Sequence, residues 1–206
     1  MQSDAHEIFQ SLLLKYSQEP VAELRQAIEA QLWADFGAKQ AVLVFDMSGF
    51  SSLCSRYGIV HYLSMVRRMQ LTAAPIVQAH GGAIIKFEAD NGFAVFADVQ
   101  SALQAAQALN AALTAANVNT PDELDIRIGC GIDFGSILLI DGQDFFGDAV
   151  IRACKLGEDI AKPGEVLLTR SAAEHLPEEF AFALDPLDLT ISGIRIEAFQ
   201  LRGPRA

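Results

Sequence analysis

Apolar residues along this chain recur either at helical spacing or in short continuous runs, and the two patterns alternate. Spacings of three and four residues predict helices, whereas short apolar runs bounded by glycine, asparagine or aspartate predict strands. After two N-terminal helices, the predicted order is strand, helix, helix, strand, strand, helix, strand. This order describes a ferredoxin-like α/β (α+β) core with helices on one face of its sheet. These elements are predicted at residues 5–17, 20–35, 40–46, 49–57, 60–79, 83–97, 98–117 and 124–133.

The remainder of the chain is predicted to extend this core. An apolar run predicts a further strand, and a helix follows it after a polar loop. The C-terminal tail alternates apolar and polar residues, which predicts more β-structure with turns at Pro186 and Gly193. The intervening elements are predicted at residues 136–140 (strand), 148–160 (helix), 161–169 (turn and strand) and 171–176 (helical turn).

We divide the chain into an N-terminal helical extension, residues 1 to 37, and a domain formed by residues 38 to 206. The two helices of the extension could pack on the domain or pair with another chain. We favour packing, because helices this short are marginally stable alone. The second helix would use the apolar positions that recur at helical spacing, Leu24, Ile28, Leu32 and Trp33.

The most informative stretch is AIIKFEADNGFAVFAD, residues 83 to 98. It predicts two strands joined by a tight turn at Asn91-Gly92, a pair that favours two-residue hairpin turns. Two charges interrupt its apolar pattern. Lys86 lies inside the first strand, where an ammonium must find a partner or lose its charge. Asp90 lies at the turn, where its carboxylate is open to water and can contact a metal ion or a phosphate group.

A second apolar run, AVLVFDMSGF at residues 41 to 50, predicts a buried strand that ends at Asp46. Pairing of the two segments can bring the carboxylates of Asp46 and Asp90 together. Two carboxylates provide oxygen ligands, which suit magnesium or manganese. The spacing alone also suits a turn-capping role for Asp46 and a solvated hairpin end at Asp90.

The composition argues against several classes of partner. The 206 residues, 51% of them hydrophobic, are enough for one domain with a substantial core. A net charge of −11 argues against nucleic acid and membrane surfaces, which are polyanionic, although local cations and a metal can still hold one nucleotide. The three scattered cysteines are typical of free thiols in a reducing cytosol. We expect a cytoplasmic protein, since no apolar run approaches the roughly 20 residues of a membrane helix and the N-terminus lacks a signal-peptide pattern.

Four segments, in this order and spacing, resemble the catalytic domain of class III nucleotidyl cyclases: FDMSGF, HGGAIIKFEADNGFAVF, DIRIGCGIDFG and DFFGDAVIRACKLGEDIAKPGEVLLT. The similarity runs from about residue 40 to residue 202. Each segment alone is weakly specific, whereas the four together are specific. The resemblance implies a phosphorus–oxygen lyase that converts ATP to cyclic AMP and pyrophosphate. It also implies a homodimer of head-to-tail domains, with the active sites at the interface.

The resemblance assigns a two-metal site to Asp46 and Asp90, with the backbone carbonyl of Met47 as a further ligand. Two Mg²⁺ or Mn²⁺ ions are the implied cofactors. One ion would lower the pKa of the ribose 3′-hydroxyl that attacks the α-phosphate, and the other would hold the leaving phosphates. The remaining rate enhancement would come from positioning and electrostatic stabilisation.

The resemblance assigns base recognition to Lys86 and Asp144, and a contact with the triphosphate to Arg127. Adenine offers a ring-nitrogen acceptor beside an amine donor. Lysine only donates and ionised aspartate only accepts, so this pair suits adenine. Guanine presents these groups in the opposite order and would need a shifted pose, so GTP remains open as a substrate.

Four features of the sequence depart from the family's pattern. The family carries an asparagine that orients the ribose and, four residues later, an arginine that stabilises the transition state; here these positions hold Ile151 and Lys155. Isoleucine forms no hydrogen bond, and lysine keeps the charge but lacks the planar fork of arginine. Arg152 points about 100° away from Ile151 on a helix and does not substitute. Ala89 replaces a usual glycine, and the segment ISGIRIEAF lacks the family's lysine.

Three functions remain open at this point. The first is a slow homodimeric cyclase in which Lys155 is the catalytic cation. The second is a degenerate cyclase-homology domain that binds nucleotide or a partner chain without turnover. The third, weaker hypothesis is a ferredoxin-like domain of the nucleotide-polymerase type, which also presents two metal-binding aspartates.

Overall fold

A computed structural model describes residues 4–178, 180, 182–191 and 194–204. These residues form an eight-stranded mixed sheet in the order β2-β3-β1-β4-β6-β8-β7, with β5 paired to β4. The strands are β1 (Gly37–Met47), β2 (Ala83–Glu88), β3 (Asn91–Phe96), β4 (Ile128–Ile140), β5 (Asp144–Phe146), β6 (Val166–Thr169), β7 (Phe182–Ile191) and β8 (Ile194–Pro204). The helices are α1 (Asp4–Gln18), α2 (Ala22–Phe36), α3 (Phe50–Tyr57), α4 (Ile59–Ala79), α5 (Val99–Asn117), α6 (Asp148–Cys154) and α7 (Arg170–Ala173).

Strand β1 lies at the centre of the core, between β3 and β4, and both of its faces are buried. Leu43 and Phe45 pack in one apolar cluster with α4 and α5. Val42 and Val44 pack in a second cluster with α6. The prediction that helices cover one face was therefore wrong: a strand that is apolar on both faces needs cover on both.

Strand β4 is one continuous strand of 13 residues, where the sequence predicted two. Gly135, which lies between the two predicted strands, stays in the ladder opposite Gln40 of β1. A Cβ at Gly135 would lie 3.3 Å from the Cβ of Ala149. The glycine therefore marks the close approach of α6 to the sheet rather than a turn.

The hairpin between β2 and β3 turns two residues earlier than predicted. Ala89 and Asp90 form the turn, Ala89 has a positive φ of 50°, and Glu88 pairs with Asn91. The prediction of an Asn91-Gly92 turn was wrong because Gly92 serves packing instead. A Cβ on Gly92 would lie 2.0 Å from Cζ of Phe45 in the neighbouring strand.

The C-terminal elements also differ from the predicted boundaries. Helix α6 ends at Cys154, and the chain continues as a π-helical turn over Lys155–Ile160. Pro186 lies within β7 rather than in a turn. Because β7 is at the edge of the sheet, the missing N–H of proline is tolerated there. The predicted turn at Gly193 lies outside the described residues.

The N-terminal helices pack on the sheet, as the sequence predicted. The ring of Phe9 contacts Phe36 edge-to-face at 5.2 Å and stacks on Phe146 of β5 at 5.8 Å. Leu24 and Trp33 are exposed, although their helical spacing predicted an inward face. None of the helices in the described part of the chain combines the length and the apolar character needed to cross a bilayer. The buried residues of this cluster are Phe9, Leu12, Leu32, Phe36 and Ile140.

A buried charge joins α6 to the sheet. Asp133 of β4 has a side-chain exposure of 0% and accepts a hydrogen bond from Arg152 Nε at 2.6 Å. Its other oxygen accepts hydrogen bonds from the hydroxyl of Thr169 and from the backbone N–H of Phe134. Burial raises the pKa of Asp133, while these partners stabilise its ionised form. The network fixes α6 relative to β4 and β6.

We predict that Asp133→Asn lowers the free energy of unfolding by about 3 kcal/mol, because it removes one partner of a buried ion pair. Urea unfolding followed by circular dichroism measures this difference. The matched control is Asp188→Asn, which removes an exposed partner of Arg195 and should leave the unfolding midpoint close to that of the parent. Equal midpoints for the two variants would show that the Asp133 network does not stabilise the fold.

Candidate functional site

A cavity of about 510 Å³ opens where β1 and the β2–β3 hairpin end. Asp46 is the register partner of Asn91 in β3, so the antiparallel ladder brings it next to Asp90. The amide of Met47 donates a hydrogen bond to the carbonyl of Asp90 at 3.3 Å. The predicted convergence of Asp46, Met47 and Asp90 is thus present. The cavity is lined by Asp46, Met47, Gly49, Ser52, Asp90, Asn91 and Glu158.

The cavity is electronegative. Asp46 is half-buried, and burial together with the charges of Asp90 and Glu158 raises its pKa from 3.8 to about 7. Asp90 is largely buried. Gly49, the N-cap residue of α3, lines the cavity, so the positive end of the helix dipole offsets a small part of this negative charge.

Tyr62 of α4 supports Asp90, and the sequence reasoning missed it. The residue is buried, and its hydroxyl interacts electrostatically with the carboxylate of Asp90. Burial, followed by the charge of Asp90, raises the pKa of Tyr62. A tyrosine on the apolar face of a helix signals that its hydroxyl needs a polar partner, but the sequence does not say which one.

Glu158 also reaches this cavity, and it was likewise missed. The π-helical turn that carries it packs directly on the sheet: a Cβ on Gly157 would lie 2.8 Å from the carbonyl oxygen of Val44. A Cβ on Gly131 would lie 2.4 Å from the amide of Gly157. Burial raises the pKa of Glu158, and the nearby Cys154 thiol opposes this shift without cancelling it. Turns of this type often occur at functional sites.

The donor set of the cavity suits a hard divalent cation. Asp46 and Asp90 offer carboxylate oxygens, and Met47 lies beside them with its backbone. Across the described ranges, no three or more histidine, cysteine or acidic side chains are arranged to hold one metal ion. The two aspartates thus form a partial site, which further oxygen donors would have to complete.

A second pair of predicted residues meets at a different place. The ammonium of Lys86 in β2 lies 3.0 Å from Oδ1 of Asp144 in β5 and 2.7 Å from Oε1 of Glu88. The same Oδ1 of Asp144 accepts a hydrogen bond from the amide of Phe145 at 2.9 Å. Burial acts to lower the pKa of Lys86, but its hydrogen bonds with Glu88 and Asp144 outweigh burial and raise it.

The other predicted residues lie apart from these two pairs. Arg127 precedes β4, its side chain is 68% exposed, and it lines a separate depression with Asp125. Lys155 forms an ion pair with Asp159 at 2.8 Å. Ile151 on α6 is 48% exposed. The structure therefore brings together Asp46 with Asp90 and Lys86 with Asp144, but does not bring Arg127 or Lys155 to either pair.

Comparisons with known proteins support the resemblance. No protein-family model matches the sequence. A Rhizobium meliloti protein named "Putative adenylate cyclase 3" is 30% identical over 136 residues, which cover 66% of this chain and 23% of that protein. The chain spans only 23% to 41% of the length of the curated relatives that it matches.

Solved structures share the fold. The adenylate/guanylate cyclase/hydrolase from Silicibacter pomeroyi matches with a TM-score of 0.66 and 29% identity over 80% of this chain and 96% of its own. This chain resembles the adenylate and guanylate cyclase catalytic domains in sequence and in fold. A guanylate cyclase domain from Catenaria anguillulae, solved in complex with GTP, shares the fold of this cyclase-like domain with a TM-score of 0.67 and 16% identity over 82% of this chain and 99% of its own. The predicted fold class is confirmed.

The charge of Asp46 should destabilise the fold of this cyclase-like domain. In buffer with a chelator at about pH 8, Asp46→Asn removes a half-buried charge that faces Asp90 and Glu158. After allowance for solvent screening, we expect the free energy of unfolding to rise by about 1–2 kcal/mol. The folded-state pKa of Asp46 exceeds its usual value, so the parent loses stability as pH rises from 3.8 to about 7. The increase in the free energy of unfolding caused by Asp46→Asn should therefore be smaller at about pH 5.

Urea unfolding at the two pH values measures this effect. Asp159→Asn is the matched control, because Asp159 is a neighbouring acid that pairs with Lys155 outside the cavity. A variant Asp46→Asn that is less stable than the parent at about pH 8 would contradict the prediction.

Proposed function

We propose that this cyclase-like domain converts ATP to cyclic AMP and pyrophosphate, at sites formed between two copies of the chain. The observation that carries the proposal is the contact of Lys86 with Asp144 at 3.0 Å, in addition to the separate convergence of Asp46 and Asp90. Lys86 and Asp144 combine a hydrogen-bond donor with an acceptor, which suits a nucleotide base. Asp46 and Asp90 combine two carboxylates, which suit the metal ions that accompany a triphosphate.

Lys86 and Asp144 would hold adenine. The ammonium of Lys86 has three hydrogens, and contacts with Asp144 and Glu88 engage two of them. The third can be donated to a ring nitrogen. Oδ1 of Asp144 already accepts hydrogen bonds from Lys86 and from the Phe145 amide. Oδ2 would therefore accept the hydrogen bond from the exocyclic amine.

Asp46, Asp90 and the carbonyl of Met47 would hold two Mg²⁺ or Mn²⁺ ions, with phosphate oxygens of the nucleotide completing the partial site. When bound, such ions lower the pKa of the ribose 3′-hydroxyl and stabilise charge on the α-phosphate and the leaving pyrophosphate. Tyr62, buried beside Asp90, would help to hold this carboxylate in place, and this limits the rearrangement that binding requires. Arg127, exposed at the start of β4, is assigned to the triphosphate.

A cyclase assay on the purified chain tests the proposal. ATP is supplied with Mn²⁺ and then with Mg²⁺, and the product is identified by mass. We expect cyclic AMP from the parent and a loss on the order of 1000-fold in Asp46→Asn and in Asp90→Ala, because each removes a metal ligand. Full activity in either variant would overturn the two-metal assignment. The unfolding measurements described for Asp46→Asn show whether lost activity reflects lost folding.

The same assay tests the shared site. Mixed Asp90→Ala and Lys86→Ala chains would form heterodimers with one intact site, because each site takes its aspartates from one chain and its lysine from the other. Activity should return on mixing, while each variant alone stays inactive. If no activity returns, the sites are not shared between two copies.

A second function is favoured by the environment of α6. Ile151 is exposed and apolar, so it offers no hydrogen bond, and the ammonium of Lys155 already forms an ion pair with Asp159. These features suit a degenerate domain that binds nucleotide, or a partner chain, without turnover.

Ile151→Asn discriminates between the two functions. If the site is otherwise intact, an asparagine that can orient the ribose should raise the turnover number by about 10- to 100-fold with little change in nucleotide affinity. Ile151→Ala is the control, since it removes the same side chain without adding a hydrogen-bonding group. Unchanged turnover with retained nucleotide binding would favour the non-catalytic domain.

A further inference from the structure

Lys86 lies between two carboxylates from different strands. Glu88 Oε1 in β2 is 2.7 Å from its ammonium, and Asp144 Oδ1 in β5 is 3.0 Å from it. Only Asp144 has a role in the function proposed above. Glu88 is closer to the ammonium and is the more accessible of the two acids, with a side-chain exposure of 60% against 30%. A ligand can therefore reach Glu88.

The position of Glu88 follows from the strand. Residues two apart in a strand lie on the same face of the sheet, so Glu88 lies on the face that carries the Lys86 side chain. Glu88 also pairs with Asn91 next to the turn, which fixes its backbone. The chain thus presents three polar groups in one row, acceptor, donor and acceptor, formed by Asp144, Lys86 and Glu88.

The two purines present different partners to such a row. Adenine offers an amine donor beside a ring-nitrogen acceptor, whereas guanine offers a carbonyl acceptor beside two donors, the ring N–H and the amine. Asp144 and Lys86 match adenine. Lys86 and Glu88 match guanine, because the ammonium can donate to the carbonyl while the two oxygens of the carboxylate accept from the two donors.

We propose that Glu88 is a purine-selecting residue that lets the same site bind GTP as well as ATP. The proposal rests on the function proposed above, because it assumes that Lys86 contacts the base. Adenine leaves the guanine-binding oxygens of Glu88 without a base partner, but this exposed carboxylate remains hydrated at little cost. Glu88 therefore adds guanine recognition without removing adenine recognition.

Glu88 could instead serve only to hold the ammonium of Lys86 in place. In that case, replacing Glu88 would disturb Lys86 for both purines and would weaken both nucleotides alike. A purine-selecting Glu88 predicts unequal effects. The ratio of the two affinities is therefore the informative quantity.

The test is equilibrium binding of 3′-deoxy-ATP and 3′-deoxy-GTP, which lack the attacking hydroxyl, to the full chain with Mn²⁺ by calorimetry. Glu88→Gln should weaken the binding of 3′-deoxy-GTP by about 10-fold, because one amide oxygen and one amide donor replace the two acceptor oxygens of the carboxylate. Binding of 3′-deoxy-ATP should change by less than about twofold. The matched control is Glu29→Gln, the same change at an exposed glutamate of α2, which should affect neither nucleotide.

Three outcomes would overturn the proposal. Equal weakening of both nucleotides would assign Glu88 to holding Lys86, and unchanged binding of both would remove Glu88 from base recognition. If the parent binds neither nucleotide, this proposal and the proposed function fail together. By contrast, a parent that binds both nucleotides but forms no cyclic product contradicts only the proposed turnover, and the Glu88→Gln ratio still decides the selectivity.

Discussion

The structure depends on the two antiparallel ladders that hold β1 in register between β3 and β4. Asp46 lies opposite Asn91 on one side and opposite Gly129 on the other. Because side chains alternate between faces, a slip of one residue in either ladder would exchange the two buried faces of β1. It would also separate Asp46 from Asp90. The same hydrogen bonds therefore define the core and the electronegative cavity.

The position of Glu158 in the cavity depends on close contacts between backbone segments. Gly131 and Gly157 let the π-helical turn rest on β1 and β4, and this places Glu158 in the cavity. On the other face, Gly92 makes room for the ring of Phe45. Side chains larger than hydrogen at these positions would push the acidic groups away from one another. The cavity thus concentrates negative charge at the expense of folding stability, a common property of sites that bind cations.

Sequence reasoning reached the fold class and the convergence of Asp46 and Asp90, because strand ends and hairpin pairing follow from local apolar patterns. It placed the hairpin turn at Asn91-Gly92, because local turn preference favours that pair, whereas the structure uses Gly92 for packing. Tyr62 and Glu158 were missed because their contributions depend on contacts across space. The metal-binding, base-binding and catalytic roles stay predictions, because each depends on a ligand or on a second copy of the chain.

The anchoring of α6 has a consequence for how this domain can change over evolutionary time. Arg152 ties the helix to buried Asp133, so the orientation of α6 is set from the inside. The neighbouring Ile151 is about half exposed and contributes little to that anchoring. Substitutions at this position can therefore accumulate, because they have little effect on folding stability. Single substitutions can thus change the chemistry of the outer face of α6 while the architecture of the domain stays the same.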